Sequence, residues 1–293
     1  DNTTTTDNTT TTDNTTTTST GLFVTVGQLG TILTSPEGTT WTKRTSGTSR
    51  FLKGVTYGNG LFVTVGQSGT ILTSSDGNTW TERSSGILST RIGVTYGNGL
   101  FVTVGLSGTI LTSSDGNSWT KRTSGTSKYL RGVTYGNGLF VTVGLSGTIL
   151  TSSDGTTWTE RTSGTSEYLY KVTYGNGLFV TVGASGTILT SSDGNSWTER
   201  TSGISGTLYG FTYVNGLFVT VGQSGTILTS PEGTTWTERT SGTSRSLMGV
   251  TYANNTFIAV GNSGTIFTSP DGTTWTERTS GTTRDLLGVT YSE

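Results

Sequence analysis

Basic and aromatic side chains that could bind an anionic ligand are concentrated in one short stretch that recurs along this chain. The stretch precedes the motif VTY and reads RFLK, STRI, KYLR, EYLY, GTLY, RSLM and RDLL in successive copies. Arginine and lysine donate hydrogen bonds to carboxylates and phosphates, and tyrosine adds an aromatic face with a polar hydroxyl. These residue types overlap with those of antibody-like paratopes, so they point to recognition chemistry.

The elements that position these stretches repeat with a period of 39 residues, marked by tryptophans at positions 41, 80, 119, 158, 197, 236 and 275. Seven units account for residues 21–293 without any insertion. Each unit has four short runs separated by turn residues, as in LFVTVG, GTILTS, TWTERSS and RIGVTY of the second unit. Runs of this composition indicate β-strands, and Asn-Gly between VTY and LFVTV predicts a tight hairpin.

Four strands in a repeat of about 40 residues predict one blade of a β-propeller. The repeats begin at the second strand of a unit, GLFVTVG, and finish at the first strand, LLGVTY. Because the last strand can pair with the first one present, the ring closes within a shared blade. We therefore predict an all-β fold in residues 21–293: a seven-bladed β-propeller of four-stranded antiparallel blades, built from 39-residue repeats and closed by pairing the N- and C-terminal strands.

Residues 1–20 differ from the repeats, since DNTTTT occurs three times and is followed by Ser19 and Thr20. This segment has no apolar residue, so it cannot bury enough surface to offset the entropy lost on ordering. We expect a disordered, threonine-rich tail that links the propeller to an upstream domain.

The segment TSSDGNTW at 73–80 resembles the Asp-box, or BNR, motif of sialidase-like propellers, S-x-D-x-G-x-x-W, with one residue fewer between Asp and Gly. The fuller pattern VGxxGTILTSxDGxxW looks more like that of non-catalytic BNR propellers such as the photosystem II assembly-factor family. The resemblance implies that VTY is the innermost strand of each blade and WTER the outermost. It also implies that the linker TSGTSxxLx and the VG-x-SG turn share one end of the ring, opposite the YGNG and SDGNT turns.

Sialidases bind the substrate carboxylate with an arginine cluster and use a Tyr/Glu pair with an Asp for catalysis. Similar residue types occur here, namely Glu167 with Tyr129, Tyr168, Tyr170 and Tyr209. However, no unit carries the inserted residues that such a site needs, and near-identical units do not build one asymmetric catalytic arrangement. The chain also has no histidine and no cysteine, which excludes Ser–His catalysis and cysteine-ligated zinc. We predict that the protein is not an enzyme and has no cofactor.

Residues that are constant among the copies are interpreted as structural. The tryptophans could be sugar platforms, but one in every copy favours blade packing. The turn aspartates could suggest calcium, yet one carboxylate per turn, replaced by Glu37 and Glu232 in two units, is typical of turn stabilisation. The arginine of each outer strand is expected to pair with nearby carboxylates or carbonyls. No metal site is predicted.

The copies differ most at three positions around the start of the inner strand, whereas the outer-strand sequence TERTSG hardly changes. Drift at exposed positions would affect both regions, so we interpret the variable positions as a diversified contact surface. The variable region carries eight basic residues against Glu167 and Asp285, while the whole chain has a net charge of −1. Such a surface favours an acidic partner. The predicted ligand-binding residues are Arg50, Phe51, Lys53, Lys128, Tyr129, Arg131, Glu167, Tyr168, Tyr170, Tyr209, Arg245, Met248, Arg284 and Asp285.

These observations favour a non-enzymatic recognition module with one composite site for an acidic or mixed-polarity ligand: a protein, a peptide or an anionic glycan. Near-identical propeller repeats resemble the sensor domains of bacterial defence or conflict proteins, which implies a similar role here. One alternative is a multivalent lectin with repeated pockets between blades near the tryptophans, and another is a consensus-like or designed ring without a ligand. We expect a monomer with no membrane and no nucleic-acid partner. The compartment stays open, with the bacterial cytoplasm favoured over secretion.

Overall fold

The computed structural model describes residues 21–292, so the predicted tail of residues 1–20 lies outside the described residues. Within the described part, 28 strands form seven four-stranded antiparallel sheets. The strands are β1 Phe23–Gly27, β2 Ile32–Ser35, β3 Thr42–Arg44, β4 Leu52–Gly58, β5 Leu61–Gly66, β6 Ile71–Ser74, β7 Thr81–Glu82, β8 Arg91–Gly97, β9 Leu100–Gly105, β10 Ile110–Ser113, β11 Thr120–Arg122, β12 Leu130–Gly136, β13 Leu139–Gly144, β14 Ile149–Ser152, β15 Thr159–Arg161, β16 Leu169–Gly175, β17 Leu178–Gly183, β18 Ile188–Ser191, β19 Thr198–Arg200, β20 Leu208–Val214, β21 Leu217–Gly222, β22 Ile227–Ser230, β23 Thr237–Arg239, β24 Leu247–Ala253, β25 Thr256–Gly261, β26 Ile266–Ser269, β27 Thr276–Arg278 and β28 Leu286–Tyr291.

Each sheet is one blade. In six blades the strands follow chain order from the centre of the ring to the outside, and in the remaining blade β28 lies inside β1. The blades are β28-β1-β2-β3, then β4 to β7, β8 to β11, β12 to β15, β16 to β19, β20 to β23 and β24 to β27. A short 3-10 turn joins the second and third strands of every blade, at Gln28–Gly30, Gln67–Gly69, Leu106–Gly108, Leu145–Gly147, Ala184–Gly186, Gln223–Gly225 and Asn262–Gly264. The predicted all-β, seven-bladed propeller of four-stranded blades is confirmed.

The ring closes where the first and last strands meet. Strand β1 pairs antiparallel with β28, placing Phe23 opposite Tyr291, and their rings lie 4.6 Å apart between centroids. Beyond the strand ends, the Ser292 amide donates to the Leu22 carbonyl at 3.0 Å. The blade that spans both chain ends therefore has the same four-strand order as the others, as the starting and finishing points of the repeats predict.

The two ends of the ring are formed by different kinds of connection. At one end, the hairpin between the first and second strands has two left-handed residues, for example Asn59 with φ 49° and Gly60 with φ 72°. Asparagine and glycine tolerate positive φ, which is why Asn-Gly is used there. At the other end, the interblade linker contacts the 3-10 turn, since the Gln67 amide donates to the Phe51 carbonyl at 2.9 Å.

The hydrophobic cores lie between neighbouring blades. In one of them, Val102 and Ile110 of one blade pack with Leu130 and Phe140 of the next, and Trp158 covers the outer side. Trp80 Nε1 donates to the Gly77 carbonyl of its own turn at 3.0 Å. The same bond is made by Trp41, Trp119, Trp158, Trp197 and Trp275, whereas Trp236 Nε1 is buried without a hydrogen-bond partner among the described residues. The tryptophans therefore serve blade packing.

The constant aspartates organise their own turns. Asp76 Oδ1 accepts hydrogen bonds from the Asn78 and Thr79 amides at 2.8 Å each and from Ser74 Oγ at 2.9 Å. The same pattern holds Asp115, where amide donors lower the pKa of the carboxyl to about 2. Within residues 21–292, no three His, Cys, Asp or Glu side chains come together in a way that could hold a metal ion.

The outer-strand arginines differ from expectation. Instead of a carboxylate or carbonyl, each Nε atom binds a threonine hydroxyl of the adjacent third strand, as in Arg44 to Thr34 Oγ1 at 2.8 Å. The same bond occurs from Arg83, Arg122, Arg161, Arg200, Arg239 and Arg278. The expected partner was wrong because the strand register brings the buried threonine next to the arginine stem. These arginines are thus committed to holding the outer strand.

Candidate binding face

Six of the predicted ligand-binding residues line a cavity of about 660 Å³ at the centre of the ring. All seven inner strands contribute to its wall, and the volume falls within the range of about 300–1,000 Å³ usual for ligand pockets. The six are Lys53, Tyr129, Arg131, Tyr170, Tyr209 and Met248.

A β-bulge at the start of each inner strand presents one variable residue per repeat to this cavity. In β4, Leu52 pairs with Gly66 and Gly54 pairs with Val65, so Lys53 between them has no partner. A bulge leaves its extra residue outside the ladder and re-aims its side chain. The corresponding residues in the other repeats are Ile92, Arg131, Tyr170, Tyr209, Met248 and Leu287.

The glycine opposite each bulge allows the close approach that the bulge requires. Gly66 is extended, with φ −166°, so its conformation does not demand glycine. A Cβ on Gly66 would nevertheless lie 2.1 Å from the Phe51 carbonyl oxygen. The constant glycine of VG-x therefore holds the variable residues of the linker in place.

Arg131, Tyr170 and Tyr209 form a stack across three consecutive blades. The Arg131 guanidinium carbon lies 4.5 Å from the Tyr170 ring centroid, and the Tyr170 and Tyr209 rings meet edge to face at 5.2 Å and 90°. On the first inner strand, Lys53 Nζ lies 5.5 Å from the Phe51 ring centroid. Contacts of this kind orient cations without neutralising them.

The other predicted residues lie on the interblade linkers around the cavity mouth. Lys128, Tyr168 and Arg284 are exposed. Arg50 and Arg245 are also exposed and each reaches a glutamate at 3.9 Å, Glu82 and Glu277, which is a weak surface pairing.

The two acidic residues of the set are engaged within the protein. Asp285 accepts hydrogen bonds from Gln28 Nε2 at 2.5 Å and from the Ser263 amide at 2.8 Å. Glu167 accepts from Ser185 Oγ at 3.3 Å. Their charges are therefore partly satisfied by linker and turn donors, which leaves the basic residues to set the character of the face.

The predicted ligand-binding set omits three residues of this end, although Lys171 is one of the eight basic residues counted in the variable region. Leu29 and Leu88 are 45% and 80% exposed, and Lys171 lines the cavity. All three depart from what the repeats usually carry: Leu29 replaces the serine of VG-x-SG, Leu88 replaces a serine or threonine of the linker, and Lys171 replaces the glycine of GVTY. These differences from the other repeats could have identified the three residues from the sequence.

Arg91 is not part of the face, although the charge count of the variable stretches included it. Its side chain is fully buried, at the position where the other six repeats have leucine. The guanidinium donates to Ser85 Oγ at 2.5 Å, to the Ile87 carbonyl at 3.0 Å and to the Ser89 carbonyl at 3.4 Å. Its Nε atom has no hydrogen-bond partner among the described residues. Burial lowers the pKa of Arg91 to about 10, so the group stays charged at neutral pH.

Several known proteins are similar to this chain in sequence or in fold. A family model described as the DUF6242 beta propeller domain matches residues 127–247. A solved structure of YCF48 bound to D1 peptide superposes with a TM-score of 0.68 at 17% identity, covering 84% of this chain and 86% of that one. YCF48 from Cyanidioschyzon merolae gives 0.65 at 16% identity, covering 83% and 89%.

A third similar structure is the WD40 beta propeller domain of Doa1, with a TM-score of 0.65 at 16% identity, covering 92% of this chain and 88% of that one. At such identities the likeness shows a shared propeller fold. No curated protein matches the chain.

Among residues 21–292, no helix has the length and apolar character needed to cross a membrane.

Proposed function

We propose that the protein is a non-enzymatic recognition module that binds one acidic peptide segment of a partner protein across the linker end of the ring. The ligand would cover the cavity mouth and contact Tyr129, Tyr168 and Arg131. In a larger protein, such a module would separate ligand recognition from any effector domain, as in the bacterial defence sensors that it resembles.

One observation carries this proposal: the exposed large apolar side chains gather at the end where the repeats diverge. Within residues 21–292 these are Leu29, Leu88, Tyr129 and Tyr168, and all four lie on linkers or VG-x turns. The constant outer strands are equally open to solvent but present Thr, Glu and Lys. Apolar side chains grouped with basic ones on one face are typical of protein interaction sites.

A peptide fits this face better than a repeated sugar would. YCF48, which shares the fold, was solved with a D1 peptide bound. The face differs from blade to blade, so it offers one asymmetric surface. A lectin with seven equal pockets would depend on the tryptophans, yet these pack against the interblade cores, as Trp80 and Trp197 do. The observations therefore favour a single peptide ligand over repeated glycan binding.

An array of peptides and glycans, probed with the purified protein, tests the proposal. We expect acidic peptides with apolar residues to be selected, and binding to be lost when Tyr129, Arg131, Tyr168 and Tyr170 are replaced together by alanine. Replacing Asn117 and Asn195 by alanine, at the opposite end, is the matched control and should leave binding unchanged. Selection of neutral glycans, with binding indifferent to the four-residue variant, would instead support the lectin.

A further inference from the structure

Three basic side chains line the central cavity without an acidic neighbour. Lys53, Arg131 and Lys171 belong to three different inner strands, and no Asp or Glu occurs among the described residues that form the cavity wall. Like charges repel more strongly in a partly enclosed space than in bulk water, because the effective dielectric constant is lower. The cavity therefore attracts a negative charge.

Arg131 has a donor that the protein leaves unused. Its Nε atom is buried and makes no hydrogen bond within residues 21–292. The ion pairs of the described residues do not include Arg131, so its guanidinium charge is available to an incoming anion. The stack with Tyr170 and Tyr209 fixes the guanidinium plane in advance, so little side-chain entropy is lost when an acceptor arrives.

The pKa values of the two lysines also reflect a cavity without nearby negative charge. Burial lowers the pKa of Lys53, and the positive charge of Arg131 lowers it further. Burial likewise lowers the pKa of Lys171. Both shifts mean that the charged ammonium group is less stable here than in water. A neighbouring anion would stabilise the charged form.

Lys171 also interrupts a layer of glycines. The equivalent residues in the other six repeats are Gly54, Gly93, Gly132, Gly210, Gly249 and Gly288. Neighbouring inner strands approach closely in this layer, since a Cβ on Gly132 would lie 2.9 Å from the Lys171 Cα atom. A lysine here adds bulk to a tight layer and a positive charge to a basic cavity.

We infer that the cavity is an anion subsite in which Arg131, Lys171 and Lys53 together hold one carboxylate of the bound ligand. This inference rests on the proposed peptide-binding function and adds the chemical group and its place. Arg131 donates from its guanidinium group, and the two ammonium groups add charge-assisted hydrogen bonds. The carboxylate comes from an Asp or Glu side chain or from a peptide C-terminus, two sources with the same chemistry.

Three short probes separate these sources: an aspartate tripeptide blocked at both ends, its blocked asparagine analogue, and an asparagine tripeptide with a free C-terminus. The readout is the NMR signal of the Arg131 Nε–H group, assigned by its disappearance in Arg131→Ile, which carries the residue of the second repeat. We expect the signal to shift with the blocked aspartate or the free C-terminal peptide and to stay unchanged with blocked asparagine.

Variants built from the chain's own repeats provide the controls. Lys171→Gly and Lys53→Ile each restore a residue found at the same position in other repeats, and each should weaken carboxylate binding by about tenfold or more. Lys121→Glu, on the exposed outer strand β11 and also a residue found at the same position in other repeats, should change it by less than about twofold because exposed charges contribute little. Thermal melts of all three variants show whether the ring is intact.

The outcomes distinguish the subsite from the wider proposal. If neither carboxylate probe shifts the Arg131 signal up to its solubility limit, or if both lysine variants bind as the wild type does, the anion subsite is wrong. Array-selected peptides could then still depend on Tyr129 and Tyr168, and the recognition face would stand. If the carboxylate probes bind but array ligands ignore those tyrosines, the subsite stands and the recognition face falls.

Discussion

Arg131 and Tyr170 occupy the same bulge position in adjacent blades, and their side chains contact each other, with the guanidinium carbon 4.5 Å from the ring centroid. Two side chains that differ between repeats are thus in direct contact across a blade boundary. The repeats differ from one another at these positions, so the seven-fold backbone carries an asymmetric surface.

The buried Arg91 is expected to destabilise the ring. Arg91→Leu restores the residue of the other six repeats and should raise the free energy of unfolding by about 1–3 kcal/mol, because an incompletely paired charge is replaced by an apolar side chain. Urea denaturation measures the change. Leu130→Arg, the reverse change in an intact core, should destabilise. A less stable Arg91→Leu protein would show that the buried guanidinium stabilises the fold.

The Asp115 turn should give the stability a defined acid dependence. Amide hydrogen bonds from Ser118 and Asn117 lower the pKa of Asp115 from 3.8 to about 2. A depressed carboxyl pKa stabilises the fold above the unfolded-state value, and this contribution is lost as the pH falls through the folded-state value. Asp115→Ala should therefore lower the melting temperature at pH 7, by an amount that shrinks between about pH 4 and pH 2.

The matched control for this turn is Ser114→Ala, an exposed neighbour. It should leave the melting temperature unchanged at every pH. A pH-independent difference between Asp115→Ala and the wild type would contradict the assigned role of the carboxylate.

Ring closure depends on β28. Removing residues 286–293 takes the inner strand from the first blade, leaves the β1 edge unpaired and uncovers Phe23. We expect a clear drop in melting temperature and self-association, because an exposed apolar strand edge pairs with other chains. Thermal denaturation and size-exclusion chromatography measure both. A synthetic peptide of residues 284–293 should restore the melting temperature, whereas an unchanged truncated protein would contradict closure by this strand.

The sequence-based prediction of residues 1–20 as a flexible tail supplies the control for this truncation. Removing them should leave the melting temperature unchanged. A large loss of stability would mean that the segment is part of the folded unit.

The regular part of the fold could be predicted because every repeat contains the residues that determine its turns. The 39-residue period, the Asn-Gly hairpins and the Asp turns each follow from local chemistry, and their number fixes the number of blades. The two ends of the ring could also be assigned, since strand order and alternating direction determine where each connection lies. Hairpin turns such as Asn59-Gly60 adopt the backbone that their residues favour.

The details of the face could not be predicted because they depend on register and on contacts between blades. Nothing in the letters RFLK shows that Lys53 is the bulged residue, since the bulge appears only when β4 pairs with β5. Arg91 was counted as a charge of the face because it belongs to the variable stretch STRI, although its alignment with Leu52 and Leu130 places it in the core. Asp285 is satisfied by Gln28, which is 257 residues away in sequence.

Binding stoichiometry tests the central claim most directly. Isothermal titration of an array-selected acidic peptide should give one ligand per chain. Binding should disappear in a variant that carries the residues of the second repeat at four face positions: Tyr129→Thr, Arg131→Ile, Tyr168→Thr and Tyr170→Ile. Several equivalent ligands per chain, or undiminished affinity in this folded variant, would contradict a single face formed by the divergent residues.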